Sequence, residues 1–294
     1  MTLFLQQVVE GLGSGAIYAT LALALVLIFR ATGVINFGQG EMATLSAFLC
    51  WQLTAWGVSL GFAIAIAVAF SFLLGAAVER TIVRPVEQGD PLTLLVVTLG
   101  LFFVFNSIMR FFWGTTPHHL ASIVPNTALN VAGVHLATQS LTTLGIVLAV
   151  ALALYVLFSR TLLGIVLRAA ATNPGESRLL GVNVNRMLMI GWGLAAAVGG
   201  LGGVLVAPGL GLQPTMMQVI IIFAFAGAAL GGFDSPLGAV VGGLIVGVSQ
   251  NLAATYIDAI GNELSVVVPF ALIVAVLLVR PSGLFGTAAA GGRV

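Results

Sequence analysis

The sequence predicts an all-α, polytopic integral membrane protein with eight or nine transmembrane helices, the count depending on whether one segment is broken. Three observations carry this. Of 294 residues, 60% are hydrophobic and only 6% are charged, against about 25% charged in soluble domains. The mean hydropathy is +1.16, and a chain so poor in charge cannot clothe a water-facing surface. Apolar blocks of the roughly 20-residue length that a spanning helix needs recur at 8–29, 36–56, 59–79, 92–112, 141–159, 188–208, 215–232, 237–254 and 264–280. Residues 1–294 read as a single transmembrane domain, with an external loop at 114–139 and a cytoplasmic loop at 160–187.

The first block follows MTLFLQQVVEGLG, which has no basic residue, so it reads as a retained span rather than a cleaved signal. Gly11, Gly13 and Gly15 resemble a nucleotide loop only in spacing, since no strand precedes them. The second block carries Asn36, Gln39, Glu41 and Gln52. It is the one expected to be broken or re-entrant, which membranes tolerate only where the freed backbone is buried in protein. Glu41 has two readings. One is an acid favoured by the positive end of a helix dipole. The other is a pathway group, because a charge at membrane depth is costly and usually faces the bundle interior.

Arginine placement orients the chain. Arg30, Arg80, Arg84, Arg160, Arg168, Arg178, Arg186, Arg280 and Arg293 fall at alternate segment ends, whereas 114–139 and 255–263 carry neither Arg nor Lys. With nine spans, the positive-inside rule puts the Arg-bearing ends in the cytoplasm and the N-terminus outside; if 36–56 does not cross fully, the N-terminal face flips. Arg110 dissents, near the outer end of its span. Between Pro125 and the fifth block, Val131–Leu136 reads as a short strand or interfacial turn.

Four of the ten basic residues crowd into 160–186, RTLLGIVLRAAATNPGESRLLGVNVNR. Leu163–Ala171 can form a helix, weakened at its start by Gly164. Pro174 is incompatible with continuing that helix unbroken. Glu176–Leu180 can resume as a short helix ending at Gly181, a favoured C-cap residue. The expectation is a helix–break–helix elbow at the membrane surface, its angle set by Arg168 and Glu176. In the C-terminal half Gly199/Gly203, Gly227/Gly231, Gly238/Gly242 and Gly243/Gly247 are each four apart. That spacing serves close helix packing within one subunit or at a subunit interface.

Several chemistries are excluded. A Walker A loop requires Lys to meet the β- and γ-phosphates, and the chain has none, so any ATP hydrolysis must come from a partner. His118, His119 and His135 do not make a zinc set, and neither a metal nor another cofactor is expected. Cys50 is alone and reads as a small hydrophobe. Ser14 has no His in a span to act as its base. No catalytic residue is expected. Polar residues within apolar blocks, namely Asn36, Gln39, Glu41, Asn106, Gln250 and Asn251, are candidates for a translocation path. Each could equally be a helix–helix hydrogen bond.

The residues also carry a family resemblance. Gly33-Val34-Ile35-Asn36-Phe37-Gly38-Gln39-Gly40-Glu41 resembles the INFAHGE signature of branched-chain amino acid ABC permeases. Glu79-Arg80 with Arg84-Pro85 resembles that family's ER…RP segment. Gly164–Asn173 and Leu179–Asn183 resemble its cytoplasmic loop. Leu230-Gly231-Gly232 through Ser235–Ala239, with Gly242-Gly243, resembles its late turn, and Arg280–Gly283 the end of its last helix. The chain departs where the family often has Ala-His at Gly38-Gln39, an acid near Asn173 and Ala near Ser177. The resemblance covers nearly the whole chain and is of the LivH type. It implies a non-catalytic permease subunit of an ATP-driven importer in a bacterial inner membrane. The implied partners are a second permease of the LivM type, two cytoplasmic ABC ATPases and a periplasmic or lipid-anchored substrate-binding protein. It implies ATPase coupling through Arg168, Asn173, Glu176, Arg178, Leu179, Leu180 and Gly181. The implied substrate is an amino acid, branched-chain first, with urea or short amides as the alternative. An ion-coupled secondary transporter competes less well, because it predicts broken helices in both halves and only 33–41 is evident.

Overall fold

The computed structural model describes residues 2–33, 35–86, 89–125, 127–131, 134–257 and 264–286. Arg293 and most of 255–263 lie outside the described residues. The helices are α1 (Thr2–Thr32), α2 (Gln39–Ala55), α3 (Leu60–Val78), α4 (Pro91–Trp113), α5 (Thr138–Arg160), α6 (Leu162–Thr172), α7 (Pro174–Leu179), α8 (Val184–Leu210), α9 (Met216–Gly231), α10 (Pro236–Tyr256) and α11 (Val267–Val279). A π-turn, Glu79–Val83, extends α3. The strand expected near Val131–Leu136 is half of a hairpin, β1 (Ala128–Val131) against β2 (Val134–Ala137), antiparallel with Leu129 opposite Leu136.

Every expected span has its helix, so the chain is an all-α polytopic membrane protein. Six of them, α1, α3 with its π-turn, α4, α5, α8 and α10, are long and apolar enough to cross a bilayer. The remaining three are shorter: α2 has 17 residues, α9 has 16 and α11 has 13. At 1.5 Å per residue they reach only about 20–25 Å of a roughly 30 Å hydrocarbon core.

The contacts divide the chain into two compact units. One comprises Met1–Val26, Val124–Ala151 and Ile220–Val294; the other comprises Leu27–Ile123 and Leu152–Val219. In the first, glycines let α1, α9 and α10 meet backbone to backbone. Gly15 lies against Leu244 and Gly243 against Ala19, while Gly227 lies against Gly243 and Gly231 against Gly238. In the second, α8 packs on α2 and α3 in the same way, Gly203 against the Ala43 carbonyl and Gly75 against Trp192. The four-residue glycine spacing thus serves packing within the subunit, the first of its two sequence readings.

The second unit also settles where the expected break lies. The chain leaves α1 at Gly33, in the left-handed region at φ +72, and among the described residues is not helical again until Gln39. From there α2 is continuous. It runs parallel to α4: Thr98 Oγ1 donates to the Ile35 carbonyl at 3.4 Å, Gly38 abuts Leu101, Glu41 meets Asn106, and Phe48 stacks on Trp113. Leu101 lies ten residues into α4, about 15 Å along its axis. So α2 begins roughly halfway along its neighbour, and the polar motif is the unwound approach to its first turn. A tight turn with Gly57 at φ +88 then returns the chain into α3.

Candidate functional site: elbow, latch and buried polar network

Residues 160–187 form the expected elbow, with differences in how it is made. Thr161 opens α6 by accepting from the Gly164 N–H at 3.1 Å, an N-cap in the usual sense. A side chain at Gly164 would strike the Leu157 backbone. Gly164 is therefore not a weak start but what lets α6 fold back on the end of α5. The break falls at Asn173, φ −140 and ψ 81. Pro174 does not interrupt a helix but begins α7, where its missing N–H costs nothing. Gly181 closes the elbow at φ +83, donating to the Arg178 carbonyl at 3.0 Å. Asn183 caps α8 through the Arg186 N–H at 3.0 Å.

The elbow has two faces. Ala170, Val184 and Leu188 form a buried cluster flanked by Val182 and Met187, and Ser177 is 4% exposed. The other face presents Leu179 at 89% and Leu180 at 84% exposure. Leu180 is the C-cap of α7 rather than part of it. Arg168, Asn173, Glu176 and Arg178 are exposed. Among the described residues no ion pair joins Arg168 to Glu176, so the expectation that this pair sets the angle does not hold. The apolar cluster beneath the elbow and the Asn173 backbone set it instead.

A latch that the sequence pattern did not reveal sits beside the elbow. Glu79 is completely buried and accepts two bonds from Arg84, Nε at 3.1 Å and a terminal guanidinium nitrogen at 2.7 Å. That same nitrogen donates to the Asn185 carbonyl in the first turn of α8 at 3.1 Å. A five-residue separation does not face an α-helix's own neighbour, which lies three or four away. The π-turn makes it face: the Arg84 N–H bonds the Glu79 carbonyl at 2.7 Å, closing an i to i+5 loop. The motif residues were visible in sequence; their pairing required a helix type that periodicity does not report.

The translocation candidates separate. Asn36 and Gln39 stabilise the unwound approach to α2. The Asn36 side-chain oxygen accepts from the Gly38 N–H at 2.9 Å, its amide meets Gln39 at 3.4 Å, and Gln39 donates to the Ala195 carbonyl of α8 at 3.1 Å. Glu41 and Asn106 belong to a network. Asn106 Nδ2 donates to Glu41 at 3.2 Å and to the Pro214 carbonyl at 3.0 Å, while Gln218 reaches the other Glu41 oxygen at 3.4 Å. Arg110 Nε donates to the Asn106 side-chain oxygen at 2.6 Å. Arg110 therefore defies the orientation rule for a local reason: an asparagine relays it to a carboxylate that is 1% exposed. Glu41 lies in the first turn of α2, as its helix-dipole reading expects, and is held there by side chains of α4 and α9. Gln218 was overlooked, although it is a polar residue inside an apolar block by the same test that found Gln250. Gln250 and Asn251 belong to the other unit, where Gln250 accepts from the Tyr18 hydroxyl at 2.6 Å. Among the described residues no group of three His, Cys, Asp or Glu could hold a metal ion.

Comparison with known proteins bears on these features together. The family described as branched-chain amino acid transport system / permease component matches residues 7–277. The high-affinity branched-chain amino acid transport system permease protein LivH of Salmonella typhimurium is 30% identical over 302 residues, covering 96% of each chain. LivH of Escherichia coli gives the same identity and coverage. The corresponding protein BraD of Pseudomonas aeruginosa is 28% identical over 299 residues, again covering 96% of each chain.

Proposed function

Since the chain belongs to the branched-chain amino acid transport system permease family, we propose that it forms half of the translocation path of an ATP-driven importer. It works as a single permease domain in a bacterial inner membrane. A second, LivM-type permease supplies the other half. Two cytoplasmic ABC ATPases supply the energy, and a periplasmic or lipid-anchored binding protein supplies substrate. The substrate class is amino acids with branched apolar side chains. The subunit has no catalytic step of its own.

The observation that carries this reading is the outer face of the elbow. Two consecutive leucines, each more than four-fifths exposed, project from a six-residue helix with polar neighbours Glu176 and Arg178. Isolated exposed leucines mean little, but an apolar tip rimmed by charge suits a groove on a soluble partner. Docking uses Leu179 and Leu180 as the inserted tip and Arg178 and Glu176 as its rim. Arg168, exposed on α6, adds positive charge to the docking surface, and Asn173 and Gly181 shape the elbow's backbone. The path candidates are Glu41 and Asn106 in one unit and Gln250 and Asn251 in the other, while Asn36 and Gln39 hold the start of α2.

The test is co-purification of the ATPases with a Leu179→Asp/Leu180→Asp variant. Each fully exposed leucine that becomes buried on docking contributes about 1.5–3 kcal/mol. The double change should therefore abolish stable assembly while leaving the permease itself folded. Unchanged assembly, with substrate-stimulated ATP hydrolysis intact, would overturn docking. Uptake by the reconstituted complex should require ATP on the cytoplasmic side and survive collapse of ion gradients.

A further inference from the structure

Arg110 stands within the apolar span of α4, Leu92–Trp113, and the network behind it uses only part of its hydrogen-bonding capacity. Asn106, Arg110 and Trp113 are four and three residues apart, a single stripe of the helix. Its two ends are tied to α2: Asn106 donates to Glu41 at 3.2 Å, and Trp113 Nε1 donates to Gln52 at 2.9 Å. The Asn106 amide has one orientation that fits. Its nitrogen faces two acceptors, Glu41 and the Pro214 carbonyl, so its oxygen faces the donor, Arg110 Nε at 2.6 Å. Nε is thereby pinned. Among the described residues the two terminal guanidinium nitrogens carry no hydrogen bond and Arg110 makes no ion pair. The side chain is exposed.

We propose that Arg110 receives the carboxylate of the amino acid in the translocation path, and so selects there for a substrate with a free carboxyl group. This rests on the importer reading and adds a specificity-determining residue to it. The direction of the side chain argues against a lipid headgroup. A snorkelling arginine reaches for the nearer membrane surface, here the Trp113 end of α4. Arg110 folds the other way, back to Asn106, which lies about 6 Å deeper along the axis. An exposed cation kept at that depth belongs beside a water-filled cavity rather than in hydrocarbon. The shape of what it offers argues for a carboxylate. With Nε occupied, the two terminal nitrogens remain as an end-on fork, which takes both oxygens of one carboxylate. Urea or a neutral amide carries no charge to match it. Position agrees, because the fork is held by Asn106 and lies one side chain from Glu41, both of them path candidates.

The experiment is ATP-driven leucine uptake by the whole transporter in liposomes, titrated with leucine-loaded binding protein, for wild type, Arg110→Gln and Arg110→Lys. Arg110→Gln should lower the maximal rate about tenfold to a hundredfold, the effect of losing charge-assisted hydrogen bonds to a carboxylate. The half-saturating concentration of binding protein should stay the same. Arg110→Lys, which keeps the cation, should recover most of the rate, and this separates charge loss from misfolding. An unchanged maximal rate in Arg110→Gln would overturn the proposal, while wild-type uptake would leave the importer reading standing. A raised half-saturating concentration at an unchanged maximal rate would give Arg110 to the binding protein. Loss of the second permease from purified Arg110→Gln complex would give it to a carboxylate of that subunit. Either result overturns the proposal. Saturation-transfer NMR on the complex without binding protein tests the same residue independently of transport. Leucine should give a signal in wild type that leucinamide does not displace and that Arg110→Gln loses. Displacement by leucinamide as effective as by leucine, or no leucine signal in wild type, would overturn the site whatever the uptake assay shows.

Discussion

Replacing Arg84 should be among the most damaging single changes in the second unit, and the damage should be partly undone by also replacing Glu79. The Glu79 side chain is 0% exposed and Arg84 28%. Removing the arginine strands a carboxylate away from water and breaks three hydrogen bonds, one of them to the backbone of α8. Breaking a buried pair costs about 3–5 kcal/mol, and the partial exposure of Arg84 points to the lower end, about 3 kcal/mol. In Glu79→Leu/Arg84→Leu no charge is stranded. What remains lost is the tie to the Asn185 carbonyl, about 1 kcal/mol. The double variant should therefore be about 2 kcal/mol more stable than Arg84→Leu alone. Reversible unfolding of the purified protein in mixed micelles, run as a double-mutant cycle, measures this directly. If the two substitutions add, or the double variant is the worse of the two, the latch is not the coupled pair described here.

Two further outcomes follow from the same unit. Gly203→Val places a side chain against the Ala43 carbonyl; overpacking of this kind costs about 1–3 kcal/mol. Gly100→Ala, where nothing lies within 4 Å, should be neutral or stabilising by up to about 1 kcal/mol, and thermal denaturation of the two distinguishes close approach from mere helix propensity. Asn106→Leu removes the bridge between Arg110 and Glu41 and leaves a buried carboxylate short of a donor, at about 1–3 kcal/mol. Uptake by the reconstituted complex should fall in this variant while ATPase co-purification is retained, because the elbow is untouched.

Much of the fold was legible because apolar length and arginine placement act along the chain. The elbow was legible from local signals: Pro174 begins a helix and Gly181 closes one, each near where its chemistry requires, while the Asn183 cap emerged only from the structure. What escaped were relations between elements. Gly164 reads as a defect until the end of α5 is seen packed against it. Glu79 and Arg84 read as parts of one motif with no stated contact until the π-turn brings them together. Arg110 looks misplaced under a rule that counts charges by leaflet, because that rule does not know that Asn106 and Glu41 stand behind it. The late start of α2 was only half visible. Asn36, Gln39 and Glu41 announced a disturbed helix, but its depth came from register with α4, a non-local fact.

The second unit links the elbow to the start of α2 through one continuous element. Asn183 caps α8 next to α7, and the Arg84 latch grips α8 at Asn185. Eleven residues beyond Val184, about 16 Å along the axis, the Ala195 carbonyl receives Gln39. Between these points α8 is unbroken, since its proline, Pro208, lies beyond both. Its glycines bring it so close to α2 and α3 that sliding would drive backbone into backbone, whereas tilting as a body would not. A displacement of α7 that the Asn183 cap does not absorb is therefore carried along α8 to the place where the chain is least regular. There the unwound residues 35–38 are secured by a few side-chain hydrogen bonds rather than by a helical ladder. A handful of bonds, each worth about 1 kcal/mol, is also what such a displacement has to overcome to reshape the approach to Glu41.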